Sequence, residues 1–218
     1  MVDSFDLKKL EQKAFRTVHQ DGLLDIQIGG IVLSYSILAY PDASEAFPFL
    51  HFGLSMVGLA LFSLIFWGGK KYFTVPRLGQ VKFGPRRKRR SVTLAFVLSG
   101  IILVQLLILA GTYFLRANPQ LAASLGFTFA SRDLERLAVA IIGALFVGPS
   151  MTIIAYFSDF LRGYYIAFIL SLAVFSLIWF GQPIYLTVAA LVIIVPGVFL
   201  FVRFLRQHPL PPADISRD

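Results

Sequence analysis

The sequence predicts an all-α membrane protein, a bundle of six transmembrane helices preceded by an N-terminal amphipathic helix. Apolar residues make up 57% of the 218 residues and charged residues only 15%, whereas soluble domains contain roughly 45–50% apolar residues. A soluble domain of this length could not cover so much apolar surface, so lipid must act as the solvent. Six long apolar runs and an asymmetric distribution of Lys and Arg complete the prediction.

Residues 1–20 are expected to form the amphipathic helix. No apolar core precedes a small-residue cleavage site, so the segment is not a signal peptide. Asp3 or Ser4 can cap a helix, and one face of that helix would carry Phe5, Leu10, Ala14, Phe15 and Val18. This pattern is typical of a helix that lies on the cytoplasmic membrane surface. A soluble helix packed on the following domain is an equally open alternative.

Each of the six apolar runs approaches the ~20 residues that are needed to cross ~30 Å of hydrocarbon. The first run is the weakest, because Asp25 and Gln27 lie near its start. The fifth and sixth are separated only by Gly181-Gln182-Pro183, which predicts a tight helical hairpin. The expected spans lie at about 22–40, 47–67, 92–115, 137–158, 163–180 and 184–204.

The basic residues set the expected orientation. With the N-terminus inside, 17 Lys and Arg residues fall in cytoplasmic segments and 3 fall outside. This asymmetry predicts that both termini are cytoplasmic, in agreement with an even number of spans. Residues 21–206 would then form the membrane domain, and residues 207–218 would form a cytoplasmic tail.

The cytoplasmic segment 68–91 is strongly basic. Its run of five basic residues resembles a nucleic-acid patch, but directly before a span such a run is better explained by orientation and by anionic lipid head groups. Residues 74–85 could form a short strand pair or an ordered turn that docks a partner, although a packed connector is favoured. The expected lipid or partner contacts are Lys70, Lys71, Arg77, Lys82, Arg86, Arg87, Lys88, Arg89 and Arg90.

Two carboxylates lie at the start of the first span. Asp21 and Asp25 are four residues apart, so they share one face of a helix, and Gln27 lies half a turn deeper. Carboxylates at membrane depth usually face the bundle interior or a water-filled cavity. One interpretation is an entry site for a cation or proton. Ion pairing with the neighbouring basic segment is the favoured alternative.

Two later spans are interrupted by Pro and Gly. Gly148-Pro149-Ser150 and Pro196-Gly197 each fall about twelve residues into spans that run in the same direction. Paired broken helices at the midplane indicate a transporter substrate site, and Gln105 in the third span could line the same polar path. However, transmembrane helices tolerate single prolines. A stripe of Ala140, Ala144 and Gly148 favours close helix packing instead.

No catalytic signature is present in the sequence. Cysteine is absent, and His19, His51 and His208 lie in different regions, so neither a metal site nor a cofactor is expected. We therefore expect no enzyme. The leading hypothesis is a small permease or channel-like transporter, which would form a homo-oligomer because six spans make a thin pore wall. The alternative is a non-catalytic scaffold or accessory subunit that binds anionic lipid or a membrane partner, and no nucleic acid.

Three short blocks carry a resemblance to a known group. They are QDGLLDI at 20–26 with Gly29-Gly30, PRLGQVKF at 76–83, and Pro196-Gly197 with RFLR at 203–206 before PLP at 209–211. Together they resemble an uncharacterised group of prokaryotic multi-pass membrane proteins. The resemblance implies a bacterial or archaeal inner membrane, and it groups the basic segment with Asp21 and Asp25. It implies no activity.

Overall fold

The computed structural model describes residues 21–40, 48–78, 85–118, 120, 124 and 132–209. The expected amphipathic helix at 1–20 and Lys82 lie outside the described residues, as does most of the tail. The six main helices are α1 (Leu23–Leu38), α2 (Pro48–Gly68), α3 (Pro85–Ala117), α4 (Arg132–Phe157), α5 (Arg162–Phe180) and α6 (Ile184–Gln207).

The helical bundle prediction is confirmed. The described residues contain no strand, and five of the helices are long and apolar enough to cross a membrane, whereas α1 has 16 residues. At 1.5 Å per residue, α1 measures about 24 Å, which is shorter than the ~30 Å hydrocarbon layer. The chain is therefore a multi-pass membrane protein, and its weakest predicted span is the shortest of the six main helices.

The basic segment is more helical than predicted. Beyond α2, Gly69–Thr74 form a π-helical turn and Val75–Leu78 a further α-helical turn, so a strand at 74–78 is wrong. Tertiary contacts of this segment outweigh its weak β-propensity. Residue 85 is the proline that starts α3, a position where the missing N–H costs nothing. Only residues 79–84 separate the two helical stretches, and they lie outside the described residues.

The helices form two compact units, which are described separately. Unit 1 contains α1, α2 and α6, and unit 2 contains α3, α4 and α5. In unit 1, both α2 and α6 pack antiparallel on α1. Gly29 of α1 lies against Ile194 of α6, where an added Cβ would lie 2.6 Å from Ile194 Cγ1. Further along, the Thr187 hydroxyl donates to the Ser36 hydroxyl at 3.2 Å.

The contact between α1 and α2 also depends on small residues. Gly30 leaves room for the ring of Phe62, and Gly58 leaves room for the side chain of Ser34. Ser34 is buried, and its hydroxyl donates to the Gly30 carbonyl at 2.8 Å. Because α1 is covered by two helices, its polar and small side chains face protein rather than lipid. This location explains how α1 accommodates its polar residues inside the protein.

In unit 2, α4 and α5 form an antiparallel hairpin. The Ser171 hydroxyl donates to the Ala144 carbonyl at 2.9 Å, and an added Cβ on Gly148 would lie 3.0 Å from Ser171 Oγ. Ala140 is fully buried. The predicted close packing along the small-residue stripe is confirmed. At the end of α5, Gly181 adopts a left-handed conformation with φ 70° and closes the helix.

The orientation can be tested with reporter fusions on either side of α3. A reporter fused after Lys88 is expected in the cytoplasm and one fused after Asn118 on the opposite side, because the apolar part of α3, Val92–Phe114, lies between them. Paired green fluorescent protein and alkaline phosphatase fusions would measure this. Both positions reporting the same side would contradict the six-span topology.

Candidate functional site

The buried carboxylate of Asp21 is the centre of a polar cluster in unit 1. Asp21 is fully buried just before α1. Its Oδ2 accepts hydrogen bonds from Lys70 Nζ and Thr74 Oγ1, both at 2.7 Å, and its Oδ1 accepts one from the Leu23 backbone N–H at 3.2 Å. We call Asp21, Lys70 and Thr74 the Asp21 clasp. The ion-pairing interpretation predicts such a contact, and for Asp21 it is present.

The backbone conformation next to Asp21 and the position of the Lys70 side chain together form the clasp. Gly22 has φ 78°, which turns the chain so that the carboxylate of the preceding residue faces the first N–H of α1. A negative charge at a helix N-terminus is favoured by the unpaired N–H groups and the helix dipole. The Lys70 side chain is 17% exposed, so its stem crosses from the surface to the buried carboxylate.

The π-helical turn supplies the other two members of the clasp. Val75 N–H donates to the Lys70 carbonyl five residues earlier, which is the π-helical pattern. The turn packs directly on α1, because Gly69 is buried and an added Cβ there would lie 2.7 Å from Leu23 Cδ2. On its other side, the rings of Phe73 and Phe201 of α6 meet edge to face at 5.9 Å. The turn therefore joins all three helices of unit 1.

Asp25 lies one helical turn deeper in α1 and is 3% exposed. It faces α6 at Gly197, where an added Cβ would lie 2.9 Å from Asp25 Cβ and 3.1 Å from the Ile26 nitrogen. The predicted Pro196-Gly197 interruption is thus the place where α6 comes closest to the start of α1. Gln27 is half-buried on the same helix.

The interruptions do not unwind the helices. Pro149 lies inside α4 and Pro196 inside α6, and both helices are continuous. An interpretation in terms of broken helices is therefore wrong. Next to Pro149, the Ser150 hydroxyl donates to the Phe146 carbonyl at 2.6 Å, which is the i−4 back-bond that serine commonly forms inside a helix.

Gln105 of α3 faces polar atoms of α4 in the same unit. Its Nε2 lies 3.5 Å from the Phe146 carbonyl oxygen and 3.4 Å from Ser150 Oγ, both longer than the roughly 2.7–3.2 Å of a typical N–H···O hydrogen bond. Of the predicted polar path, Asp21, Asp25, Gln27 and Pro196 therefore belong to unit 1. Gln105, Pro149 and Ser150 belong to unit 2, where helix packing accounts for their contacts.

The predicted lipid-binding residues differ in what they contact. Lys70 is engaged in the clasp, whereas Lys71 is exposed and Arg77 is half-exposed. Arg89 is exposed on the first turns of α3, and α3 also includes the backbone of the predicted contacts Arg86, Arg87, Lys88 and Arg90. Two adjacent lysines thus have different environments, which the sequence did not indicate.

Sequence reasoning also missed Gly69 and Thr74. Their roles depend on the π-helical turn, for which the sequence carries no signal. Within the described ranges, no group of three or more His, Cys, Asp or Glu side chains is arranged to hold a metal ion.

No protein-family model, curated protein or solved structure matches this chain. The functional conclusion therefore depends on the contacts of units 1 and 2.

Proposed function

We propose that this protein is a small permease of the cytoplasmic membrane that moves a proton or a monovalent cation through unit 1. The burial of Asp25 supports the proposal most directly, because ionisable residues inside membrane helices are costly and commonly belong to ion or proton pathways. The Cβ of Asp25 lies close to Gly197 of α6, where α6 packs on the start of α1. A buried carboxylate at such a helix contact supports a role in moving a proton or cation.

The neighbouring clasp divides the roles of the two carboxylates. Asp21 already accepts three hydrogen bonds, one of them from a lysine ammonium. The charge of Asp21 is therefore compensated within the protein. We assign uptake of the transported ion to Asp25 because its side chain is buried one helical turn deeper in α1. A site built around one carboxylate suits a proton or monovalent cation, since Ca²⁺ takes six to eight oxygen ligands.

Flux measurements in liposomes test the proposal. Purified protein in vesicles that contain a pH- or Na⁺-sensitive dye is expected to give flux above that of protein-free vesicles. Asp25→Asn should lower this flux roughly tenfold or more, because an amide carries no charge and releases no proton.

Asp133→Asn is the matched control, because Asp133 is exposed at the start of α4. It should retain full flux. Size-exclusion profiles of both variants establish whether they fold, and Asp25→Glu should restore part of the flux. Wild-type flux no higher than that of protein-free vesicles would contradict the proposal. Undiminished flux from a folded Asp25→Asn protein would contradict it as well.

A non-catalytic scaffold or accessory subunit is the second candidate. It is favoured by the continuity of α4 and α6 through their prolines and by the tight contacts of Gly29, Gly148 and Ser171. Such packing suits a rigid support more than a moving carrier. Background flux together with stoichiometric co-purification of a membrane partner would support this candidate over the permease.

A further inference from the structure

The C-terminal end of α2 and the helical turns that follow it carry basic and aromatic side chains. Trp67 is 71% exposed and Tyr72 is 66% exposed, and both lie where α2 leaves its apolar run. Exposed Trp and Tyr at the end of a span are typical of the membrane–water interface. This end of α2 therefore lies at the level of lipid head groups.

Two cationic side chains each lie over an aromatic ring in this part of the chain. Lys71 Nζ lies 5.4 Å from the centre of the Tyr72 ring, and Arg77 Cζ lies 5.8 Å from the centre of the Phe73 ring. Arg77 Nη1 also donates to the Phe73 carbonyl at 3.0 Å. Its Nε is buried and donates to no atom in the part of the chain that the structure describes. Lys71 and Arg77 thus each lie over an aromatic ring, and among the described residues neither forms an ion pair with a carboxylate.

The neighbouring Lys70 provides the contrast. It forms the ion pair with Asp21 and lies over the Phe66 ring at 5.8 Å. The turn therefore directs Lys70 toward the buried carboxylate, whereas Lys71 is exposed and accessible to an external anion. A guanidinium and an ammonium at the interface complement a lipid phosphate, which accepts charge-assisted hydrogen bonds from both.

We propose that Lys71, Arg77 and Tyr72 form a binding site for the head group of an anionic phospholipid in the leaflet at the end of α2. The site is independent of the proposed transport function. The site contains fewer residues than the lipid contacts expected from segment 68–91, because Lys70 is not part of the site.

Titration of the detergent-solubilised protein with phosphatidylglycerol, followed by native mass spectrometry, tests the site. Lys71→Gln/Arg77→Gln is expected to bind phosphatidylglycerol roughly 30-fold more weakly than wild type, about fivefold for each charge removed. Binding should weaken with added salt. Phosphatidylcholine binding should not change.

Arg203→Gln/Arg206→Gln is the control, because it removes the same charge from exposed positions near the end of α6 in the same unit. An equal loss of phosphatidylglycerol binding in this control would overturn the proposal, as would displacement of the lipid by equimolar inorganic phosphate. If the double variant does not purify as a single species, Lys71→Gln alone should still bind about fivefold more weakly. Unchanged affinity would overturn the site.

Discussion

Lys70→Met is expected to lower the free energy of unfolding by about 3–5 kcal/mol, because it leaves a buried carboxylate without its counter-charge. Asp21 is fully buried, and among the described residues Thr74 and the Leu23 N–H would remain as its donors. Two neutral donors do not replace an ammonium at 2.7 Å. Titration with sodium dodecyl sulfate in mixed micelles measures the change.

Lys71→Met is the matched control for this prediction. It removes the same charge one residue later, at an exposed position, so its effect should stay within about 0.5 kcal/mol. Adding Asp21→Asn to Lys70→Met should recover much of the lost stability, because no buried charge is then left unpaired. Equal effects of Lys70→Met and Lys71→Met would show that the ion pair does not stabilise unit 1.

Most of the fold could be predicted from the sequence. Five of the helices reach spanning length because their apolar runs are long and bounded by polar or turn residues. The position of α1 could not be predicted in the same way. It is covered by α6, which begins about 150 residues later, and no local pattern indicates which distant helix will bury a weak span.

The site was predicted only in outline. The spacing of Asp21 and Asp25 indicates a shared face, and the nearby basic residues indicate ion pairing. The choice of Lys70 over Lys71 depends on the phase of the helix after Gly68, which the π-helical turn alters. That turn is stabilised by tertiary contacts such as Gly69 on Leu23. A sequence pattern read at 3.6 residues per turn cannot contain this information.

The first and third of the three short sequence blocks described above lie in contact. Gly22 and Asp25, from the first block, both lie against Gly197 of the third. Residues 76–78 of the second block continue the helix that carries Lys70 and Thr74. The start of α1 is therefore the point on which the other elements of unit 1 converge. Changes there should disturb more contacts than changes elsewhere in the unit.

Gly22→Ala is accordingly expected to destabilise the protein by about 2–5 kcal/mol. Gly22 has φ 78°, and a left-handed conformation costs a residue with a Cβ roughly 1–2 kcal/mol. The new methyl group would also collide with the Gly197 carbonyl oxygen and lie 3.0 Å from Leu200 Cβ. Overpacking of this kind typically costs about 1–3 kcal/mol.

Gly53→Ala separates this effect from a general response to alanine. Gly53 lies within α2, and an added Cβ there meets no atom within 4 Å. Because alanine is favoured over glycine in a helix by roughly 0.5–1 kcal/mol, this variant should be slightly more stable than wild type in the same titration. A Gly22→Ala protein as stable as Gly53→Ala would mean that α1 does not begin against the backbone of α6. In that case the Asp21 clasp could not be held by the contact with Gly197.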